Sequence, residues 1–123
     1  MIEIQELWKS FGTQEVLRGA SLRVETGEFL ALVGMSGSGK SILLKHIVRL
    51  IEPDRGRVWV DGQEVTALSR SELERLRGRV GYVFQTGALF DSMTVFDNVA
   101  FPLREKTRLS PSAIRDRVMR ELE

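Results

Sequence analysis

A chain of 123 residues with 42 % apolar and 28 % charged residues is long enough for one domain with its own core, and its ordinary composition excludes disorder. The formal net charge is +1, with basic and acidic residues spread along the chain, which excludes the strong basic field of a non-specific nucleic-acid binder. With no cysteine and one histidine, His46, the chain can build neither a disulfide framework nor a zinc site.

The sequence opens Met1-Ile2-Glu3-Ile4-Gln5-Glu6, without the basic start and apolar run of a signal peptide, and no stretch approaches the roughly 20 apolar residues that span a bilayer. Any membrane role is therefore expected to be peripheral. Ile2 to Phe11 mixes apolar and polar residues in alternation, Gly12-Thr13-Gln14 turns, and Val16 to Val24 alternates again. This predicts two half-buried antiparallel strands. Phe29 to Val33 is uniformly apolar and short, as in a central strand covered on both faces.

From Lys40 the apolar residues Ile42, Leu43, Leu44, Ile47, Val48, Leu50 and Ile51 recur near helical spacing, with Pro53 just beyond. A buried helix ending near Ile51 is expected. Pro53-Asp54-Arg55-Gly56 reads as a turn, Arg57 to Val60 as a short strand, Asp61-Gly62 as a hairpin signal and Gln63 to Val65 as the return strand. Ser71 to Arg77 suits a short charged helix, and Arg79 to Phe84 a second central strand ended by Gln85-Thr86-Gly87. Val95 to Leu103 predicts a helix stopped by Pro102. Ser110-Pro111 predicts the start of another, with Ser110 as N-cap and Ile114, Val118 and Leu122 at helical spacing up to Glu123. That helix carries no glycine cap, and the chain is expected to stop within it.

Gly34-Met35-Ser36-Gly37-Ser38-Gly39-Lys40-Ser41 fits G-x-x-x-x-G-K-[ST] at every fixed position. A glycine-rich turn with a surface lysine would carry the same letters, but here a predicted strand precedes the loop and a predicted helix follows it, the context a phosphate-binding loop requires. Gly34, Gly37 and Gly39 let the backbone curl so that successive N–H groups point inward. Ser36 and Ser38 lie within the curl, and the helix adds its positive N-terminal end. Lys40 would then reach the β- and γ-phosphates of a bound nucleotide, and the Ser41 hydroxyl would coordinate Mg²⁺, a hard cation that prefers oxygen.

Phe11, the Gly34–Ser41 loop and Tyr82-Val83-Phe84-Gln85, in that order, closely resemble the nucleotide-binding subunits of ABC transporters, over essentially the whole chain. The resemblance implies an α/β fold: a P-loop NTPase (RecA-like) core with an N-terminal antiparallel β-subdomain and the start of a helical subdomain, truncated. Residues 1–85 would form the N-terminal part of the ATP-binding core with its β-subdomain, and residues 86–123 the Q-loop exit and the start of the helical subdomain.

In that family an aromatic residue between the first two strands stacks on adenine. Phe11 occupies the matching place; the usual residue is Tyr, and Phe keeps the π-face while losing the hydroxyl. A plain core role for Phe11 is the alternative. Gln85 matches the glutamine that contacts Mg²⁺ and the attacking water and links the nucleotide site to the transmembrane subunits, which with Lys40 makes it a candidate catalytic residue. The stretch Thr86 to Leu103 looks like the subgroup that energises lipid transport with Mce-type lipid-binding proteins, the Mla phospholipid system among them. Ile42, in place of the Thr that commonly follows the loop serine, resembles some members of that subgroup. It puts a side-chain hydrogen bond to the α-phosphate in doubt, while backbone donors there could still hold that phosphate. The family's switch histidine lies far downstream of this region, so His46 reads as a helix residue.

The cofactors implied are ATP and Mg²⁺. The partners implied are a transmembrane permease, a second copy of the ATPase subunit and an Mce-type lipid-binding protein, with no nucleic acid, at the cytoplasmic inner face of the cell membrane. No apolar run here ends in Asp-Glu and no Ser-Gly-Gly element is present, so nucleotide binding with little turnover is expected of these residues alone. Loss of neighbouring strands is expected to leave sheet edges and apolar faces uncovered, making the chain less stable or prone to pair with another copy. Two other readings are a nucleotide kinase or GTPase, against which stands the absence of Asn-Lys-x-Asp and of an arginine-rich lid, and a non-catalytic docking module that offers the groove around Gln85–Leu103 to a partner's helix.

Overall fold

A computed structural model describes all 123 residues, Met1–Glu123. They form two compact units, Met1–Gly81 and Tyr82–Glu123. The first unit is built on a four-stranded antiparallel sheet. Strands β1 (Ile2–Phe11), β2 (Gln14–Val24), β3 (Arg55–Val60) and β4 (Gln63–Glu64) lie in the order β2-β1-β3-β4. The expected hairpin between the first two strands is present, closing at Phe11 opposite Gln14. At the β3–β4 turn Asp61 (φ 48°) and Gly62 (φ 77°) are both left-handed, the backbone that a two-residue hairpin turn favours because its twist matches the strands.

One face of this sheet is buried. Ile4, Leu7, Leu17, Val58 and Val60 form a single core with Leu43 and Ile47 of helix α1 (Lys40–Ile47), Leu73 and Leu76 of helix α2 (Arg70–Arg77), and Val65 of the 3₁₀ turn Val65–Ala67. The β1 ladders are irregular in a way that alternation alone does not reveal. The register jumps from Ile4↔Leu22 to Leu7↔Ala20, and from Lys9↔Leu17 to Ser10↔Glu15, so Val16 is an extra residue on β2. Such bulges bend and twist a strand locally. Gly56 sits against the first of them. With φ at 94°, a Cβ there would run into the Glu6 carbonyl and come within 2.6 Å of the Gln5 carbonyl oxygen.

Helix α1 ends four residues before the expected Ile51. Arg49 adopts φ 47°, its N–H donates to the His46 carbonyl (3.0 Å), and the Leu50 N–H donates to the Lys45 carbonyl (2.9 Å). This is the pattern of a Schellman stop with arginine where glycine is usual. The left-handed backbone costs about 1 kcal/mol for a residue with a side chain, and hydrogen bonds offset it. The Arg49 guanidinium donates to the carbonyls of Val65 (3.0 Å) and Leu68 (2.8 Å), while Arg77 donates to those of Val48 (2.9 Å) and Arg49 (2.7 Å). The apolar spacing continues through Leu50 and Ile51 because those residues follow the stop, not because the helix does.

The two expected central strands are not formed. Phe29–Val33 and Arg79–Phe84 join no ladder, and Phe29, Val33 and Val83 are more than nine-tenths exposed. A buried parallel strand exists only through hydrogen bonds to neighbours on both sides, and none of the four strands supplies one.

In the second unit, helix α3 (Val95–Lys106) is capped by Thr94, whose hydroxyl accepts the Asp97 N–H, and helix α4 (Pro111–Leu122) starts as expected with Ser110 as cap and Pro111 in first place. Contrary to expectation Pro102 does not stop α3. A proline inside a helix costs about 3 kcal/mol, but Leu103, just beyond it, packs with Phe96 and Val99 on the buried residues Ala100, Ile114 and Val118. Burial of these apolar residues against α4 overrides the local preference. No helix is long and apolar enough to cross a membrane.

Because Gly56 combines a left-handed backbone with carbonyl contact, Gly56→Ala is expected to destabilise the chain by about 2–4 kcal/mol. Urea denaturation followed by circular dichroism measures this, and a loss within experimental error of zero would refute the clash.

Candidate phosphate-binding site

The segment Gly34–Ser41 follows the irregular run ending at Val33 and enters α1. Ser38 N–H donates to the Met35 carbonyl at 3.2 Å, making a tight turn, and Gly37 (φ 78°) and Gly39 (φ 92°) hold left-handed backbone on either side of Ser38. Gly39 is required twice over. A Cβ there would also lie 3.1 Å from the side chains of Val16 and Leu17 and 3.2 Å from the Val16 carbonyl oxygen, so the start of α1 abuts the bulged part of β2. The Lys40 ammonium turns back and donates to the carbonyls of Gly34 and Met35, both at 2.7 Å, and to Ser38 Oγ at 3.3 Å. It thus ties the beginning of the loop to its end.

The helix N-termini differ in a telling way. α2 is closed by a capping box between Ser69 and Glu72, α3 by Thr94 with Asp97 in its first turn, and α4 by Ser110. α1 alone has a glycine cap with no side-chain hydrogen bond and no acidic residue in its first turn. Its first intrahelical donor is Leu43, whose N–H reaches the Gly39 carbonyl at 2.8 Å. The preceding N–H groups carry the positive end of the helix dipole and have no intrahelical acceptor. They border a cavity of about 230 Å³ lined by Phe11, Val16, Gly37, Ser38, Gly39, Lys40, Ser41 and Ile42. The cavity thus joins an aromatic residue to the open start of a helix, which suits a ligand that joins a flat base to an anion.

Residues 17–123 match the family described as ABC transporter. The chain belongs to the ABC transporter family. It is 44 % identical over 122 residues to the probable ribonucleotide transport ATP-binding protein mkl of Mycobacterium leprae, which covers 99 % of this chain and 35 % of that protein. It is 42 % identical over 123 residues to the intermembrane phospholipid transport system ATP-binding protein MlaF of Haemophilus influenzae, covering 100 % of this chain and 47 % of that one. The chain therefore spans between about a third and a half of the length of these curated relatives. Its fold matches the dimeric, post-hydrolysis structure of the ATP-binding cassette MJ0796 bound to ADP and Pi with a TM-score of 0.85 at 33 % identity, over 98 % of this chain and 55 % of that chain. The expected P-loop architecture of an ABC transporter cassette is thereby shown.

In this ABC transporter chain the predicted residues are distributed as follows. Phe11, half exposed at the end of β1, meets Gly37, Ser38, Gly39, Lys40, Ser41 and Ile42 at the cavity. Gly34 is one anchor of the Lys40 ammonium, and Ser36 is exposed at the tip of the loop. The Ser41 side chain is exposed on the cavity wall. Ile42 adds an apolar wall without a hydroxyl. Gln85 belongs to the second unit, where it opens an exposed turn over residues 85–88. Val16 is a wall residue that sequence reasoning missed, because the bulge that places it leaves no mark on strand alternation.

His46 is a helix residue as expected, and it is buried. Its Nδ1 lies 2.7 Å from the Ile42 carbonyl oxygen, one turn back on α1, while Nε2 has no partner. Burial pushes the imidazole below its ordinary value of 6.5, so the folded chain keeps it neutral where the unfolded chain already binds a proton. The stability contributed by the neutral ring is complete above pH 6.5 and is lost as the pH falls toward the depressed folded value. Urea midpoints are expected to fall as the pH is lowered from about 7.5 to 5.5, and His46→Gln is expected to flatten that slope. An unchanged slope in the variant would assign the effect to other groups.

Proposed function

We propose that this chain is the nucleotide-binding part of an ABC transporter ATPase subunit, in which ATP with Mg²⁺ occupies the cavity between Phe11 and the start of α1. The observation that carries this reading is the uncapped N-terminus of α1, with Gly39 as its cap and no acidic residue in its first turn. Elsewhere this chain closes its helix starts with its own hydroxyls.

In this reading the amides from Gly37 to Ile42 and the Lys40 ammonium hold the phosphates, with Lys40 exchanging its carbonyl partners at Gly34 and Met35 for phosphate oxygens. Ser41 lends its hydroxyl to Mg²⁺, and Phe11 stacks on the base. Bound ATP supplies the transferable phosphoryl group and Mg²⁺ neutralises its charge. Gln85 serves as a metal- and water-contacting residue of the intact subunit. Residues 1–85 form the start of the ATP-binding core, and residues 86–123 the Q-loop exit and the start of the helical subdomain. The Asp-Glu pair needed for turnover, one to hold Mg²⁺ and one to activate water, is not among these residues, so the chain by itself binds nucleotide and hydrolyses it poorly.

For the whole protein we propose a homodimeric ATPase on the inner face of the cell membrane, coupled to a permease and an Mce-type lipid-binding protein. The cargo we favour is phospholipid or another lipid. The MlaF relatives, matched along the entire chain, and the stretch Thr86–Leu103 support it; the name of the mycobacterial relatives points instead to ribonucleotides.

Titration with a fluorescent ATP analogue and Mg²⁺ is expected to give saturable binding that weakens at least about ten-fold in Lys40→Ala, the scale of a lost charge-assisted hydrogen bond. Equal affinities in the two chains would sink the phosphate reading. For the cargo, ATP turnover by the purified intact transporter is expected to rise with phospholipid vesicles. Stimulation by ribonucleotides and not by lipid would decide for the other cargo.

A further inference from the structure

Behind Phe11 stands a cluster that the nucleotide reading does not use. Lys9 and Phe11 are two residues apart on β1 and so share one face of the strand. The Lys9 ammonium lies 5.5 Å from the centroid of the Phe11 ring, over its face. The same ammonium is 2.9 Å from Asp54 Oδ1, and the other carboxylate oxygen, Oδ2, accepts the Ser10 N–H at 2.7 Å. Asp54 in addition donates its own N–H to the Trp8 carbonyl at 2.9 Å. One residue from the turn before β3 therefore grips three successive residues of β1: Trp8 through its carbonyl, Lys9 through its side chain and Ser10 through its amide.

We propose that Asp54 and Lys9 are positioning residues for the base of the bound nucleotide, the carboxylate fixing the ammonium and the ammonium fixing the Phe11 ring with its other face free. This rests on the nucleotide reading above. Phe11 is the last residue of β1, followed by the left-handed Gly12, and is about half exposed, so the strand alone restrains its ring little. A cation over one face is attracted by the ring quadrupole and excludes the base from that side. The ring is thereby presented to the cavity in one orientation before the ligand arrives, which lowers the ordering cost of stacking. The Lys9 hydrogen bond, followed by that of the Ser10 amide, holds the Asp54 carboxyl below its usual range, so the carboxylate stays charged at neutral pH.

The test separates base from phosphate. Affinities for ATP and for inorganic tripolyphosphate, each with Mg²⁺, are measured on the unaltered chain, Lys9→Met, Asp54→Asn and Phe11→Ala, with melting curves to establish that each is folded. Lys9→Met keeps the stem and removes the charge. It is expected to weaken ATP about three-fold, the scale of an exposed cation–π contact, and to leave tripolyphosphate unchanged. Asp54→Asn is expected to do the same, and Lys9→Met added to Phe11→Ala is expected to cost nothing further. Equal weakening of ATP and tripolyphosphate would overturn the proposal by locating the effect in the loop. Unchanged ATP affinity in both single variants would overturn it while leaving the nucleotide reading intact. Absence of binding of either ligand to the unaltered chain would overturn both.

Discussion

The site depends on how closely the backbone at Gly39 approaches the backbone of Val16. The first turn of α1 can reach the sheet only if residue 39 has no side chain, and its left-handed φ turns the chain from the loop into the helix at that point. The bulge in β2 supplies the other half of the contact by displacing Val16 from the regular ladder. Phe11 lies opposite Gln14, just beyond that bulge. Ring, amide donors and lysine thus come to one cavity because a helix start, a bulge and a hairpin end are pressed together. Removal of any one would leave the other groups in place but no longer facing a common space.

Electrostatics then assigns that space to an anion. A helix start with no hydroxyl cap is incomplete by the standard of the other three helices in the same chain. Glycine at the cap costs only a few tenths of a kcal/mol relative to serine, so leaving α1 open is a small sacrifice of stability. What it provides is a set of donors that no internal carboxylate occupies, beside a lysine whose present partners are neutral carbonyls and a hydroxyl. Such an ammonium has more to gain from a phosphate than from the loop it now holds.

The parts legible in the sequence were those whose signal is local. The phosphate loop announces itself because the left-handed backbone at Gly37 and Gly39 favours glycine, and the α4 start because Ser110 and Pro111 each have a positional meaning that does not depend on tertiary structure. The Asp61-Gly62 turn was equally plain. What failed were features decided by distant partners. Phe29–Val33 and Arg79–Phe84 have the composition of central strands, yet a ladder is a property of two segments and composition describes one. Pro102 should have ended α3, and packing against α4 carried the helix past it. The α1 stop at Arg49 was invisible because an arginine in a glycine's conformation is paid for by carbonyls at Val65 and Leu68, far along the chain. Val16, Lys9 and Asp54 escaped notice for the same reason.

Helix α1 is held at both ends. Its N-terminus is wedged against β2 through Gly39, and the stop just beyond its C-terminus is pinned by two guanidinium groups, Arg49 reaching the carbonyls of Val65 and Leu68 and Arg77 those of Val48 and Arg49. Eight residues of α-helix make a strut about 12 Å long, stiff along its axis. A push or pull delivered at the Lys40 end is therefore not absorbed by bending within α1. It is passed on to the arginine clamps, whose hydrogen bonds lead through Arg77 to the end of α2 and through Arg49 to the turn after β4. In mechanical terms the loop is the loaded end of a short lever, and the arginines are its bearing.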